Sequence, residues 1–171
     1  DGTAFSLPHR LEYSVAEQLT DMLAKHVSNW HGVPLQVRWV KTGSDACNAA
    51  IRLGRAVSGK LGVLSAGYHG WHDAFVAMTL PAHGVRSDPY MIPFKWGDIS
   101  DLHSRDTSDI GTLILEHGVE EPQPNYYTQL RAWCNDHDII LVMDEVVTGL
   151  RYARGGACEV YGIRPDIICM G

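Results

Sequence analysis

Apolar runs too short for a membrane span recur along this chain, and helical segments separate them. Residues 139–143 (IILVM) and 110–115 (IGTLIL) show no alternation between apolar and polar positions. A strand that is apolar throughout has no solvated face and must be covered on both sides, the situation of a parallel sheet between helices. Residues 61–64 and 166–170 read as further strands, and residues 36–40 (QVRWV) as a short strand ahead of the second helix. Residues 90–94 suit a strand only at an edge or an end, because Pro93 cannot donate to a ladder.

Between these runs the period changes. Leu11, Val15, Leu19, Met22, Leu23 and Val27 share one face of a helix over residues 11–29, with Gly32 and Pro34 closing it. A second helix is predicted over residues 45–58, with Ala46, Ala49, Ala50, Leu53 and Ala56 as a small-residue face and Gly59 as its stop. Asn125 is placed to cap a helix in which Tyr127, Leu130, Trp133, Cys134 and His137 line up. A short helix is expected over residues 155–161, and residues 76–87 read as loop. The expected fold class is α/β, a mainly parallel sheet flanked by helices, in one domain.

Composition excludes several functions. The chain has 171 residues with 14 Lys+Arg against 20 Asp+Glu, a net charge of −6. That balance argues against binding nucleic-acid phosphates, and no apolar run reaches the roughly 20 residues of a membrane span. Cys47, Cys134, Cys158 and Cys169 are scattered, without a C-x-x-C pair, and are expected to be reduced thiols in a cytoplasmic protein.

In parallel α/β sheets ligands sit beyond the carboxyl ends of the strands. Three features fall there. Thr42-Gly43-Ser44 opens the second helix, where free N–H groups and the positive end of the helix dipole suit a phosphate. Residues 67–73 (GYHGWHD) form an aromatic loop fit to hold a flat ligand, although His69, His72 and Asp73 can also be read as metal ligands. Asp144 and Glu145 follow an apolar strand directly, and a carboxylate there needs a partner: a turn to cap or a protonated ligand nitrogen. Glu116 repeats the pattern one strand away. A flat ligand with a phosphate and a cationic ring nitrogen satisfies all three features, and pyridoxal 5'-phosphate is such a ligand.

Residues 37–46 (VRWVKTGSDA), 67–73 (GYHGWHD), 144–151 (DEVVTGLR) and 165–171 (PDIICMG) resemble, in order, the motifs of the class III aminotransferases. Residues 6–12 (SLPHRLE) and 153–156 (ARGG) look like the branch of glutamate-1-semialdehyde 2,1-aminomutase. The resemblance implies a fold type I pyridoxal-phosphate enzyme of homodimeric habit, acting on a small-molecule amino donor and acceptor. It implies that Gly43 and Ser44 bind the cofactor phosphate beside Thr42, and that Tyr68 stacks on the pyridine ring with His69 flanking it. Asp144 would pair with the pyridinium nitrogen, Val146 would pack on the opposite face, and Glu116 would be a carboxylate near the site. His117 replaces a family Pro, Leu150 a Phe, and Val147 a frequent Gln.

In that family a Lys directly follows the last motif and forms the Schiff base with the cofactor. The chain ends at Gly171, so the resemblance puts that Lys on the next residue; neither Lys41 nor Lys60 lies in a matching motif. Residues 1–171 are therefore expected to be part of a cofactor-binding large domain, inactive alone, with an apolar surface left for association. The alternative from another class is a shortened, non-catalytic protein that binds a phosphorylated ligand or serves in assembly.

Overall fold

A computed structural model describes residues 10–78, 84–118 and 120–171. Eleven elements follow in the order α1 (Arg10–His31), α2 (Gly43–Ser58), β1 (Gly62–Ala66), α3 (Asp73–Val76), β2 (Met91–Pro93), α4 (Ile99–His103), β3 (Ile110–Glu116), α5 (Tyr126–Asp136), β4 (Ile140–Glu145), α6 (Gly156–Tyr161) and β5 (Ile167–Met170). The strands form one sheet in the order β2-β1-β3-β4-β5, and every pairing is parallel. The expected α/β class is what the chain adopts. Pro93 ends β2, an edge strand, where its missing N–H is harmless.

Each face of the sheet is covered by its own set of side chains. On one face Leu64, Leu113, Leu115, Leu141 and Met143 pack with Leu102 of α4, Leu130 and Trp133 of α5 and Cys158 of α6. On the other, Val63, Ile114, Val142 and Cys169 pack against Cys47, Ala50 and Ile51 of α2 and Phe75 of α3. Every residue of β1 is buried, Ser65 included, as a strand covered by two layers requires.

Five local expectations are corrected. Residues 36–40 are not a strand: no sheet strand pairs with them among the described residues, and Val37, Trp39 and Val40 are exposed. The segment instead lies beside α1, where Trp39 Nε1 donates to Thr20 Oγ1 at 2.9 Å. The face predicted for α1 is only partly covered, since Val27 is buried while Val15 and Met22 are about half exposed. In α2 the buried stripe is Cys47, Ala50, Ile51 and Gly54, rotated from the predicted small-residue face, and Leu53 points to solvent. Asn125 sits at the cap of α5 by backbone alone, in a left-handed conformation (φ 64°) without a side-chain capping bond. The loop expected over residues 76–87 overlaps the last residue of α3, and residues 79–83 lie outside the described residues. Helix α4, five residues capped by Asp98, is too short to show a period in the sequence. Among the described residues no helix is long and apolar enough to cross a membrane.

Candidate active site

The carboxyl ends of β1, β3 and β4 meet the N-terminus of α2, and most of the predicted site residues gather there. Helix α2 starts with a capping box. Thr42 Oγ1 accepts from Asp45 N at 3.1 Å, and the Asp45 carboxylate accepts from Thr42 N at 3.1 Å. The box turns the negative Asp45 side chain toward Thr42 and toward His72 Nε2, 3.2 Å away. Gly43 and Ser44 follow the cap, so their N–H groups have no intrahelical carbonyl to meet and remain donors at the positive end of the helix.

Two close approaches lock this corner to its neighbours. A Cβ on Gly43 would lie 2.6 Å from Val146 Cγ1, so only glycine lets the helix start against the loop after β4. A Cβ on Gly70 would lie 2.1 Å from Ser44 Oγ, and Gly70 has φ +96°, a conformation that side chains disfavour. Ser44 Oγ accepts from Trp71 N at 3.3 Å, which leaves its own proton to donate. The loop after β1 is held at its other end by Glu116, whose Oε2 accepts from Tyr68 N at 3.1 Å. Tyr68 itself stays 67% exposed beside these anchors.

Asp144 is the buried charge of the site, 3% exposed. Its Oδ1 accepts from Val146 N at 3.0 Å. Its Oδ2 accepts from His69 Nδ1 at 2.7 Å and from the Cys47 thiol at 3.2 Å. Burial alone would depress the His69 pKa, but the Asp144 hydrogen bond, Cys47 and the carboxylate charge outweigh it and raise it to about 9. Near neutral pH His69 is therefore an imidazolium held against Asp144. His69 Nε2 is buried and has no hydrogen-bond partner. Glu116 is the register partner of Asp144 across β3 and β4, so two carboxylates share one sheet edge.

The structure thus brings together Thr42, Gly43, Ser44, His69, Asp144 and Val146, with Tyr68 and Glu116 on the adjoining loop and strand end. His69 lies against the Asp144 carboxylate. The alternative trio His69, His72 and Asp73 is divided, since His72 pairs with Asp45 while His69 pairs with Asp144. Among the described residues the one group of donors close enough to share an ion is Cys47, His69 and Asp144, within 4.8 Å of one another. In it the His69 and Cys47 hydrogens already point at Asp144.

Cys47 was not singled out in the sequence. The signal available was its place three residues after Ser44, one helical turn along the same face. Glu145, the other acid after the β4 run, faces the opposite side of the sheet. It is fully buried, accepts from Ala157 N at 2.9 Å and Cys158 N at 2.6 Å, and is bonded by the Thr148 hydroxyl. The His117 that replaces a family Pro is also structural: its Nδ1 meets the Tyr127 hydroxyl inside a cluster with Trp96, Tyr152 and Tyr161, and burial lowers its pKa.

A parallel sheet with a helix N-terminus, an aromatic loop and a buried carboxylate at its carboxyl edge defines the large-domain type of the pyridoxal-phosphate-dependent transferases. The fold is shared with a solved transaminase with PLP bound (TM-score 0.75, 21% identity, covering 99% of this chain and 43% of that one). It is shared equally with a glutamate-1-semialdehyde aminomutase from Pseudomonas aeruginosa PAO1 (TM-score 0.74, 22% identity, 99% and 40%). Residues 3–171 match the family model described as Aminotransferase class-III, and the chain belongs to that family. Among curated relatives it is 31% identical to the glutamate-1-semialdehyde 2,1-aminomutase of Syntrophobacter fumaroxidans, over 99% of this chain and 42% of that protein. It is 33% identical to the enzyme of the same name from Methanococcus maripaludis, over 99% and 43%. The chain therefore spans less than half the length of these relatives.

Proposed function

We propose that this chain is the cofactor-binding core of a pyridoxal-phosphate-dependent class III enzyme that moves an amino group, of the glutamate-1-semialdehyde aminomutase-like branch. The observation that carries the reading is the buried Asp144 carboxylate. An ionised carboxylate offers about four acceptor positions. Chain donors take three of them, Val146 N, His69 Nδ1 and the Cys47 thiol, which leaves one for a protonated ligand nitrogen.

The remaining residues fit the rest of such a cofactor. Gly43 and Ser44 N–H groups, with the Ser44 hydroxyl and Thr42 beside them, would hold the phosphate dianion. Tyr68 has an open ring with which to cover the pyridine, and Val146 is placed to back its other face. His69 would act through the carboxylate, holding it in place with its hydrogen bond, while Glu116 fixes the loop that carries Tyr68. When bound, the cofactor supplies an electron-withdrawing ring that stabilises negative charge on the carbon bearing the amino group. An Asp144 carboxylate that stays ionised keeps the ring nitrogen protonated, which this chemistry requires.

The substrates would be a small amino donor and acceptor. We place the chain in the cytoplasm, a reading that its four buried thiols support. We propose a homodimer, supported by the exposed apolar residues Val15 and Met22 on α1 and Trp71 beside the site.

The test is an absorbance and visible circular dichroism spectrum after adding pyridoxal 5'-phosphate and dialysing. A retained, optically active cofactor band is expected. Loss of the band on dialysis, with inorganic phosphate or another phosphorylated ligand retained instead, would favour the non-catalytic binding protein. Sedimentation at dilute protein tests the dimer, and a monomer would refute it.

A further inference from the structure

Asp144 is held by three donors from three parts of the chain. Val146 belongs to its own turn and His69 to the loop after β1, whereas Cys47 belongs to α2, the helix whose first turn carries Thr42, Gly43 and Ser44. Cys47 is 1% exposed and lies on the buried stripe of α2 with Ala50, Ile51 and Gly54. Burial and a hydrogen bond with Cys169 raise its pKa far above the ordinary thiol range, with the Cys169 bond the larger cause. Cys47 therefore remains a protonated donor and not a competing anion. Cys169 is itself the register partner of Asp144 on β5.

We infer that Cys47 is a positioning residue: its S–H, anchored on the helix that would bind the phosphate, fixes the Asp144 Oδ2 so that the remaining acceptor position of the carboxylate faces the ligand. The inference rests on the proposed function and adds a rigid link between the two ends of the bound cofactor. Ser44 and Cys47 are one turn apart on α2, so a shift of the helix start moves both the phosphate donors and the thiol together. Without the thiol, Oδ2 keeps only His69, and the carboxylate gains freedom to rotate about its last bond.

The test compares Cys47→Val, nearly the same shape without a donor, with Cys47→Ser, which keeps a hydroxyl donor. Thermal midpoints establish that both fold. In the full chain without cofactor, the His69 Nδ1–H resonance is followed by NMR. It is expected to shift in the Val variant and to return toward the original position in the Ser variant. Titration with pyridoxal 5'-phosphate, read by visible circular dichroism, should show about a tenfold weaker Kd and an altered band in the Val variant, with most of both restored by Ser. An unshifted His69 resonance in the Val variant overturns the inference, as does equal loss in both variants. Failure of the unmodified chain to bind the cofactor overturns the functional reading alone, because the NMR comparison still decides the role of Cys47.

Discussion

Asp144 and Glu145 are adjacent on β4 and point to opposite sides of the sheet, and the two sides use a buried carboxylate differently. Glu145 is answered by backbone: the N–H groups of Ala157 and Cys158 at the start of α6, plus the Thr148 hydroxyl. Those donors lie within 13 residues and bond both of its oxygens. Asp144 is answered mostly by side chains from distant parts of the chain, 75 residues away for His69 and 97 for Cys47. A carboxylate that caps a local helix start is part of the scaffold. One assembled from several elements, with an acceptor position left over, is prepared for something outside the chain.

Breaking each side should therefore give a different phenotype. The largest effect on stability is expected from Glu145→Ala. It strands two backbone N–H groups and a hydroxyl, at about 1–3 kcal/mol for each buried group left unpaired, so the denaturation midpoint should fall sharply. Asp144→Asn should instead act on the ligand: a lost charged hydrogen bond of about 1.5–3 kcal/mol corresponds to a cofactor Kd weakened roughly 10- to 150-fold in an absorbance titration. Asp144→Glu should fail similarly, since one more methylene misplaces the carboxylate. If Glu145→Ala weakened the cofactor more than Asp144→Asn, the contrast between the two sides would be wrong.

A smaller effect is expected from pH. The folded pKa of His69 is raised to about 9 from an ordinary 6.5, so its charge stabilises the fold fully below about pH 6.5. That contribution is lost as pH rises through about 9. Urea midpoints should decline over this window, and the decline should flatten in His69→Gln. The smallest effect is expected from Thr42→Ala, which removes one half of the capping box at about 1 kcal/mol. It should lower the thermal midpoint by a few degrees and weaken phosphate binding.

The same contrast explains what the sequence made legible. The central strands could be read because their burial is nearly complete and leaves mostly apolar runs: β3 and β4 lie close to the predicted residues 110–115 and 139–143. The acids after those runs flagged Asp144, Glu145 and Glu116, since charge at the end of a buried strand demands a partner. Sequence alone did not say which partner each would find. That Asp144 meets Cys47 and His69, while Glu145 meets α6, depends on which side of the sheet each faces. The segment of residues 36–40 misled for the opposite reason. Val37 and Trp39 alternate with Gln36 and Arg38 like a strand, yet a strand exists only through a neighbour, and periodicity does not report one.

The all-parallel strand order also governs when the site can come into being. Among the described residues no neighbouring strands are joined by a hairpin; Leu64 pairs with Leu113 and Leu113 with Leu141, so each pairing waits on a long loop closure. Chains built this way fold slowly compared with those whose contacts are local. Cys47, His69 and Asp144 come from parts of the chain that only the finished sheet aligns, so the carboxylate has its three donors only in the native state. A ligand that needs that arrangement has no affinity for a half-folded chain. Its binding free energy then goes wholly to the native state and makes the thermal midpoint rise with ligand concentration.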